Sequence, residues 1–221
     1  MNRKAEQGFT LLEMMIALAI LAAMSLVLFY SSSQIIQGKA DTEERDEVHH
    51  SIARALDRMA DDLNMAILLR SKDFLGTKFE GETYFQGTEE RMDFISLSHL
   101  RLIRDAKEGE ASEISYYLES DREDPNKRNL MRRESSVIDK DLQAGGQAYP
   151  LIEGIAGVRF EYLEDKSNEF KKIWDTQSVD FAGRLPTAVK IYIDVILPGE
   201  EEKSTFTTLA TVQINKGALS F

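Results

Sequence analysis

The sequence predicts an α+β protein in which one long amino-terminal helix packs against an antiparallel β domain. Three observations carry that expectation. An apolar run extends from Phe9 to Tyr30, with only Thr10, Glu13 and Ser25 as polar interruptions. A second stretch, Asp41 to Arg70, repeats apolar residues at three- and four-residue spacing. From Ser71 onward, short β-rich or alternating runs are separated by clusters of glycine, aspartate, asparagine and proline.

The first run is 22 residues long, about 33 Å as a helix at 1.5 Å per residue, which is enough to span a bilayer. It follows a short leader, residues 1–8, that carries Arg3 and Lys4 and ends in Gln7-Gly8. Three readings fit such a segment. A secretory signal has an apolar core of about 7–15 residues and a small-residue cleavage site beyond it. Ala19, Ala22 and Ala23 leave that reading open on pattern alone. A plain membrane anchor explains the length and the basic leader but not Glu13. A carboxylate in a membrane segment costs about 2.5–3.5 kcal/mol near the helix centre and less toward its ends, so leucine would serve an anchor better. The third reading, cleavage before the apolar run, accounts for all three features, because it keeps the helix and exposes a new amine at Phe9. Arg3 and Lys4 favour a cytoplasmic leader, with the bulk of the chain on the opposite side.

Past Tyr30, polarity rises through Ser31-Ser32-Ser33-Gln34 and marks the exit from the bilayer. Gly38 is a candidate loosening point, since glycine costs about 1 kcal/mol against alanine in a helix. The expected segments are therefore a leader at 1–8, a membrane helix at 9–37, an amphipathic helix at 38–70 and a β-rich domain at 71–221. In the amphipathic part, Val48, Ile52, Leu56, Met59, Leu63 and Ile67 form one stripe that packs on the protein's own sheet. Arg54, Asp57, Arg58, Asp61 and Asp62 fill the other faces. Strands are expected at Met92–Ser98, Glu113–Glu119, Val158–Leu163, Val189–Leu197 and Thr205–Ile214, with turns at Asp121–Asn126 and Gly145-Gly146. About 150 residues of this kind bury one adequate core.

Gly8 followed by Phe9-Thr10-Leu11-Leu12-Glu13 resembles the signal shared by type IV pilins and type II secretion pseudopilins. That resemblance implies a pilin-like α+β fold and a membrane-embedded prepilin peptidase and methyltransferase. It would cut between Gly8 and Phe9 and N-methylate Phe9. It also implies that Glu13 pairs with the amine of a neighbouring subunit and sets axial register in a filament. The succession Phe160-Glu161-Tyr162, Trp174 and Leu185-Pro186-Thr187-Ala188-Val189-Lys190-Ile191 is similar to the J-type minor pseudopilins, the GspJ family. Gly87 through Phe94 and Asp61-Asp62-Leu63 are similar to that family more weakly. The expectation is an inner-membrane protein with its carboxy-terminal domain in the periplasm, at or near the tip of a pseudopilus. Its expected partners are the I- and K-type minor pseudopilins and the major pseudopilin. The proline that major pilins place near the end of the membrane helix is missing, where Leu28, Phe29 and Tyr30 stand instead. Minor pilins of type IV pili, serving priming, adhesion or DNA uptake, share the amino-terminal signal and form one alternative. A membrane-anchored periplasmic binding domain or enzyme forms the other.

Composition narrows the field further. The chain has 27 basic and 38 acidic residues and a net charge of −11. Loss of Arg3, Lys4 and Glu6 with the leader removes a net +1 and leaves −12. Such an acidic balance argues against general nucleic-acid binding. There is no cysteine, so no disulfide forms. His49 and His50 are adjacent, about 100° apart on a helix, and do not make an i, i+4 metal pair; His99 stands alone. Asp121–Asn126 lacks the spacing and glycine of an EF-hand and is expected to be an acidic turn rather than a calcium loop. Glu43-Glu44 with Asp46-Glu47 is expected to be a solvated helix face. Neither a phosphate-binding glycine loop nor a nucleophile elbow occurs. The expectation is a structural protein without catalysis, cofactor or metal.

Overall fold

The computed structural model describes residues 10–68, 73–74, 77–78, 84–98, 111–121, 124, 127–138 and 141–213, with the backbone alone at 32–42, 73–74 and 77–78. Two units make up the chain, Met1–Glu47 and Val48–Phe221. In chain order the elements are α1 (Leu11–Asn64), β1 (Ala66–Ile67), β2 (Asp73–Phe74), β3 (Thr77–Lys78), β4 (Gln86–Gly87), β5 (Arg91–Ser96), β6 (Ser112–Ser120), β7 (Arg128–Ser135), β8 (Gln147–Ile155), β9 (Gly157–Glu164), β10 (Glu169–Lys171), β11 (Trp174–Asp175), β12 (Ala188–Ile196) and β13 (Lys203–Thr211).

In the amino-terminal unit, Leu11–Ser31 is a helical stretch long and apolar enough to cross a membrane, and none of it is buried within the protein. Ser25, polar inside this stretch, donates its hydroxyl to the Leu21 carbonyl at 2.8 Å, which satisfies it without a partner outside the helix.

In the second unit, one sheet runs β11-β4-β5-β6-β7-β8, with β1 also paired to β5; the other runs β10-β9-β12-β13. Every pairing is antiparallel, as expected. Ile52, Ala55, Met59 and Leu63 of α1 share one core with Phe94, Ile114 and Tyr116 of the first sheet and Phe160, Tyr162, Ile191 and Ile193 of the second. The helical stripe thus packs on strands, with Val48 and Leu56 at its partly buried margins.

Ile67 departs from that stripe. The helix stops at Asn64, six residues short of the expected Arg70, and Ile67 sits in β1 opposite Ile95. The sheet takes over the carbonyls that a helix end leaves unpaired: Ser96 Oγ donates to Asp62 O at 2.8 Å, and Leu97 N to Met65 O at 3.0 Å. Ile67 then joins Ile95, Ala111, Ile138 and Leu142 in a second apolar cluster. Gly38 falls inside α1, and the expected 38–70 segment is helix only to residue 64. All five expected strands form, with ends shifted by one to three residues; β13 ends at Thr211, short of Ile214.

Candidate functional site

At the amino-terminal end of α1, Thr10 and Glu13 bond reciprocally. Thr10 N and Thr10 Oγ1 each donate to Glu13 Oε2 at 3.0 Å, and Glu13 N donates to Thr10 Oγ1 at 3.3 Å. This is a capping box: the hydroxyl of the residue before the helix and the carboxylate three positions on satisfy donors that the first turn leaves open. Glu13 therefore has a role within its own chain, and Thr10 is a functional residue that the sequence reading passed over. The signal was legible, since Thr-x-x-Glu before an apolar run is the capping-box pattern. Among the described residues Glu13 Oε1 has no hydrogen-bond partner. Gly8 and Phe9 lie outside the described residues.

The second polar constellation is inside the domain. Asp62 is completely buried, yet its carboxylate has several partners. Oδ2 accepts from Tyr116 Oη at 2.6 Å and Arg132 Nε at 2.7 Å. Oδ1 accepts from Ser98 Oγ at 2.5 Å and pairs with Arg58 Nη2 at 3.2 Å. Arg132, 1% exposed, passes the chain outward: its Nη1 donates to Glu134 at 2.6 Å and to Tyr149 Oη at 3.0 Å. Burial opposes the charge on Arg132, but the hydrogen bond and charge of Asp62 outweigh it and hold its pKa above the usual value. Burial, reinforced by the Asp62 charge, pushes the Tyr116 phenol well up, so it stays a donor. The cluster clasps the last turns of α1 to three strands of the first sheet.

A second buried pair works on the other face of that sheet. Arg133 Nη2 binds Glu113 at 3.0 Å and also donates to the carbonyls of Leu142 at 2.6 Å and Ala144 at 2.7 Å. It straps the 141–146 loop over β6 and β7. Gly146 permits the strap: its φ is +72°, and a Cβ there would lie 2.4 Å from Glu134 O.

A profile of the type II secretion system protein J family matches residues 31–202, and a prokaryotic amino-terminal methylation motif matches residues 3–29. The chain belongs to the type II secretion system protein J family. Among solved structures, it is similar to a chain of the GspK-GspI-GspJ complex from the enterotoxigenic Escherichia coli type 2 secretion system. That similarity is at 12% identity and a TM-score of 0.47, over 73% of this chain and 96% of that one. With its methylation motif and apolar helix, this J-family pseudopilin is membrane-anchored.

The residues that suggested the J family occupy structural positions. Trp174 is buried, stacks on Phe181 at 4.2 Å and donates Nε1–H to Arg184 O at 2.9 Å. Leu185 is buried immediately ahead of β12. Tyr162 donates to Thr88 O at 2.7 Å and so links the two sheets. His49 stacks edge-on against Phe206 at 5.2 Å, and His50 is exposed on the same helix; His99 lies outside the described residues. Asp121 accepts from Asp124 N at 3.0 Å and Asn129 Nδ2 at 3.2 Å, tying its carboxylate to its own turn between β6 and β7.

Proposed function

We propose that this J-family minor pseudopilin is cut between Gly8 and Phe9, N-methylated at Phe9, and assembled through Glu13 at the tip of a periplasmic pseudopilus. Prepilin peptidase and methyltransferase would process it in the inner membrane. Its domain would then stand in the periplasm with I- and K-type minor pseudopilins, above the major pseudopilin. The chain acts there as a structural initiator of assembly that supports export across the outer membrane, not as an enzyme.

One observation carries the reading: a carboxylate sits in the first turn of a 21-residue apolar span, with Oε2 held by Thr10 and Oε1 without a partner among the described residues. An ammonium is strongly attracted to that oxygen where little water screens the pair. Family membership supplies the setting. Mass spectrometry of the mature amino terminus tests the processing, and any start other than methylated Phe9 overturns it. Glu13→Ala is expected to be cleaved normally yet to lose most secretion; full secretion by that variant would remove the docking role.

A further inference from the structure

An unsatisfied edge of backbone donors and acceptors is a template for another strand unless something blunts it. Among the described residues the four outer edges of the two main sheets differ sharply in this respect. β11 and β10 are two and three residues long. β8 carries Pro150 and Gly154 at φ +70°, and its pairing with β7 shifts register twice. β13 has none of these devices. It is nine residues long and pairs with β12 without a shift from Ala188↔Thr211 to Ile196↔Lys203. It contains neither proline nor glycine, and its single charge, Lys203, stands at one end.

The register identifies the free groups. Val212 N donates to Thr187 O at 2.9 Å, one step beyond the last paired residues. Bonded and non-bonded pairs alternate along an antiparallel ladder. Ser204, Phe206, Thr208 and Ala210 therefore bond to β12, while Thr205, Thr207, Leu209 and Thr211 direct N–H and C=O to the open edge. Thr205 Oγ1 meets Asp194 Oδ1 at 2.7 Å, as the closer side chains of a non-bonded pair require. The same four residues are exposed. Thr and Leu side chains pack well on a pleated face, and no like charge opposes an incoming strand along the run. At its start the chain is acidic, through Glu200, Glu201 and Glu202, all exposed.

We propose that the β13 edge is a β-augmentation site that takes an antiparallel strand from another pseudopilus subunit, uncharged at its centre and basic at its carboxy-terminal end. Antiparallel pairing sets that end beside Glu200–Glu202, which favours Lys or Arg there. Main-chain bonds supply affinity and the flanking charges supply direction. The inference rests on the pseudopilin assembly proposed above.

The chain lacks cysteine, so single-cysteine variants report cleanly. Full-length Thr205→Cys and Leu209→Cys are co-expressed with the I-type, K-type and major pseudopilins of the same secretion system, each carrying single cysteines along its strands, and then treated with a short thiol-specific bifunctional cross-linker. Both positions would form bonded pairs with the incoming strand, whose facing side chains stand about 5.5 Å apart, beyond the reach of a relaxed disulfide but within that of the cross-linker. Both variants are expected to link to one strand of one partner, at positions four apart and in reverse order. Thr207→Pro removes an edge donor without touching the β12 ladder and is expected to cut the Leu209→Cys yield at least tenfold at an unchanged unfolding midpoint. Copurification without any strand cross-link would overturn the edge site alone. Loss of copurification as well would overturn the assembly with it. Links only between two copies of this chain, or in parallel order, would also refute the proposal.

Discussion

Replacing Asp62 with alanine is expected to destabilise the domain by about 3 kcal/mol. Breaking one side of a buried ion pair typically costs about 3–5 kcal/mol, because the other charge stays in low dielectric. Here Arg132 would lose its 2.7 Å bond to Asp62 but keep Glu134 at 2.6 Å and Tyr149 at 3.0 Å, which places the loss at the lower end. Tyr116 Oη, buried, would lose its acceptor as well. Arg132 Nη2 already has no partner among the described residues, so the guanidinium has little slack. Urea unfolding of the full chain in detergent, followed by the emission of the single tryptophan, Trp174, measures this directly. In an Arg132→Met background the cost of Asp62→Ala should shrink by about 0.5–3 kcal/mol, the range seen for residues in one network. Asp62→Leu with Arg132→Met and Tyr116→Phe should be more stable than Asp62→Ala alone, since a buried pair replaced by apolar groups is often neutral. A loss under about 1 kcal/mol for Asp62→Ala, or strict additivity with Arg132→Met, would refute the clasp.

Three other outcomes are expected. Gly87→Ala should cost about 1–3 kcal/mol in the same urea assay, because its Cβ would lie 2.3 Å from Tyr162 Cζ, in a buried ring that cannot swing away. Gly146→Ala should loosen the 141–146 strap, a left-handed strain of about 1–3 kcal/mol that amide exchange at Leu142–Ala144 would register. Tyr116 and Tyr162 both titrate well above the ordinary tyrosine range, through burial first and nearby carboxylate charge second. The unfolded phenols lose protons near pH 10 while the folded ones keep theirs, so the stability they contribute is full below pH 10 and falls as pH rises beyond it. The slope is about 1.4 kcal/mol per pH unit for each group, and Tyr116→Phe should remove its share between pH 10 and 11.

β9 and β12 are legible in the sequence because their two faces differ. β12 alternates buried and partly exposed residues from Ile191 onward because one face meets the core and the other meets solvent. β7 is not legible as a strand because its charges lie inside the protein: Arg132 reaches Asp62 on one face of the sheet, and Arg133 reaches Glu113 on the other. A run reading Arg128-Asn129-Leu130-Met131-Arg132-Arg133-Glu134-Ser135 has no alternation of hydrophobicity, since the alternation is of ion-pair partners. β8 hid behind Pro150 and Gly154, which an edge strand tolerates. Ile67 fitted the helical stripe by spacing alone; only the pairing of β1 with β5, distant in sequence, moved it to a strand. Asp62, off the apolar stripe of the helix, is buried for the same reason: its partners at 98, 116 and 132 all arrive from the sheet side.

Glu13 was legible as a residue needing explanation, and the capping box supplies part of one. An amino-terminal cap contributes about 0.5–2 kcal/mol, and a carboxylate in the first turn gains about 0.3–1 kcal/mol from the helix dipole. Both offset the penalty of a charge at the rim of a membrane span, which is below the 2.5–3.5 kcal/mol of the bilayer centre. Thr10, however, is a cap in its own right through Oγ1. Capping alone therefore does not require a carboxylate, and glutamine in the same box would accept from Thr10 without the charge. Glu13→Gln separates the two roles. It should keep the helix start, seen as unchanged amide protection at Leu12–Met14, while losing the negative charge that the proposed docking of a neighbour's ammonium needs. If Glu13→Gln secretes like the unsubstituted chain and Thr10→Val does not, the carboxylate serves the cap and the neighbour's amine finds its partner elsewhere.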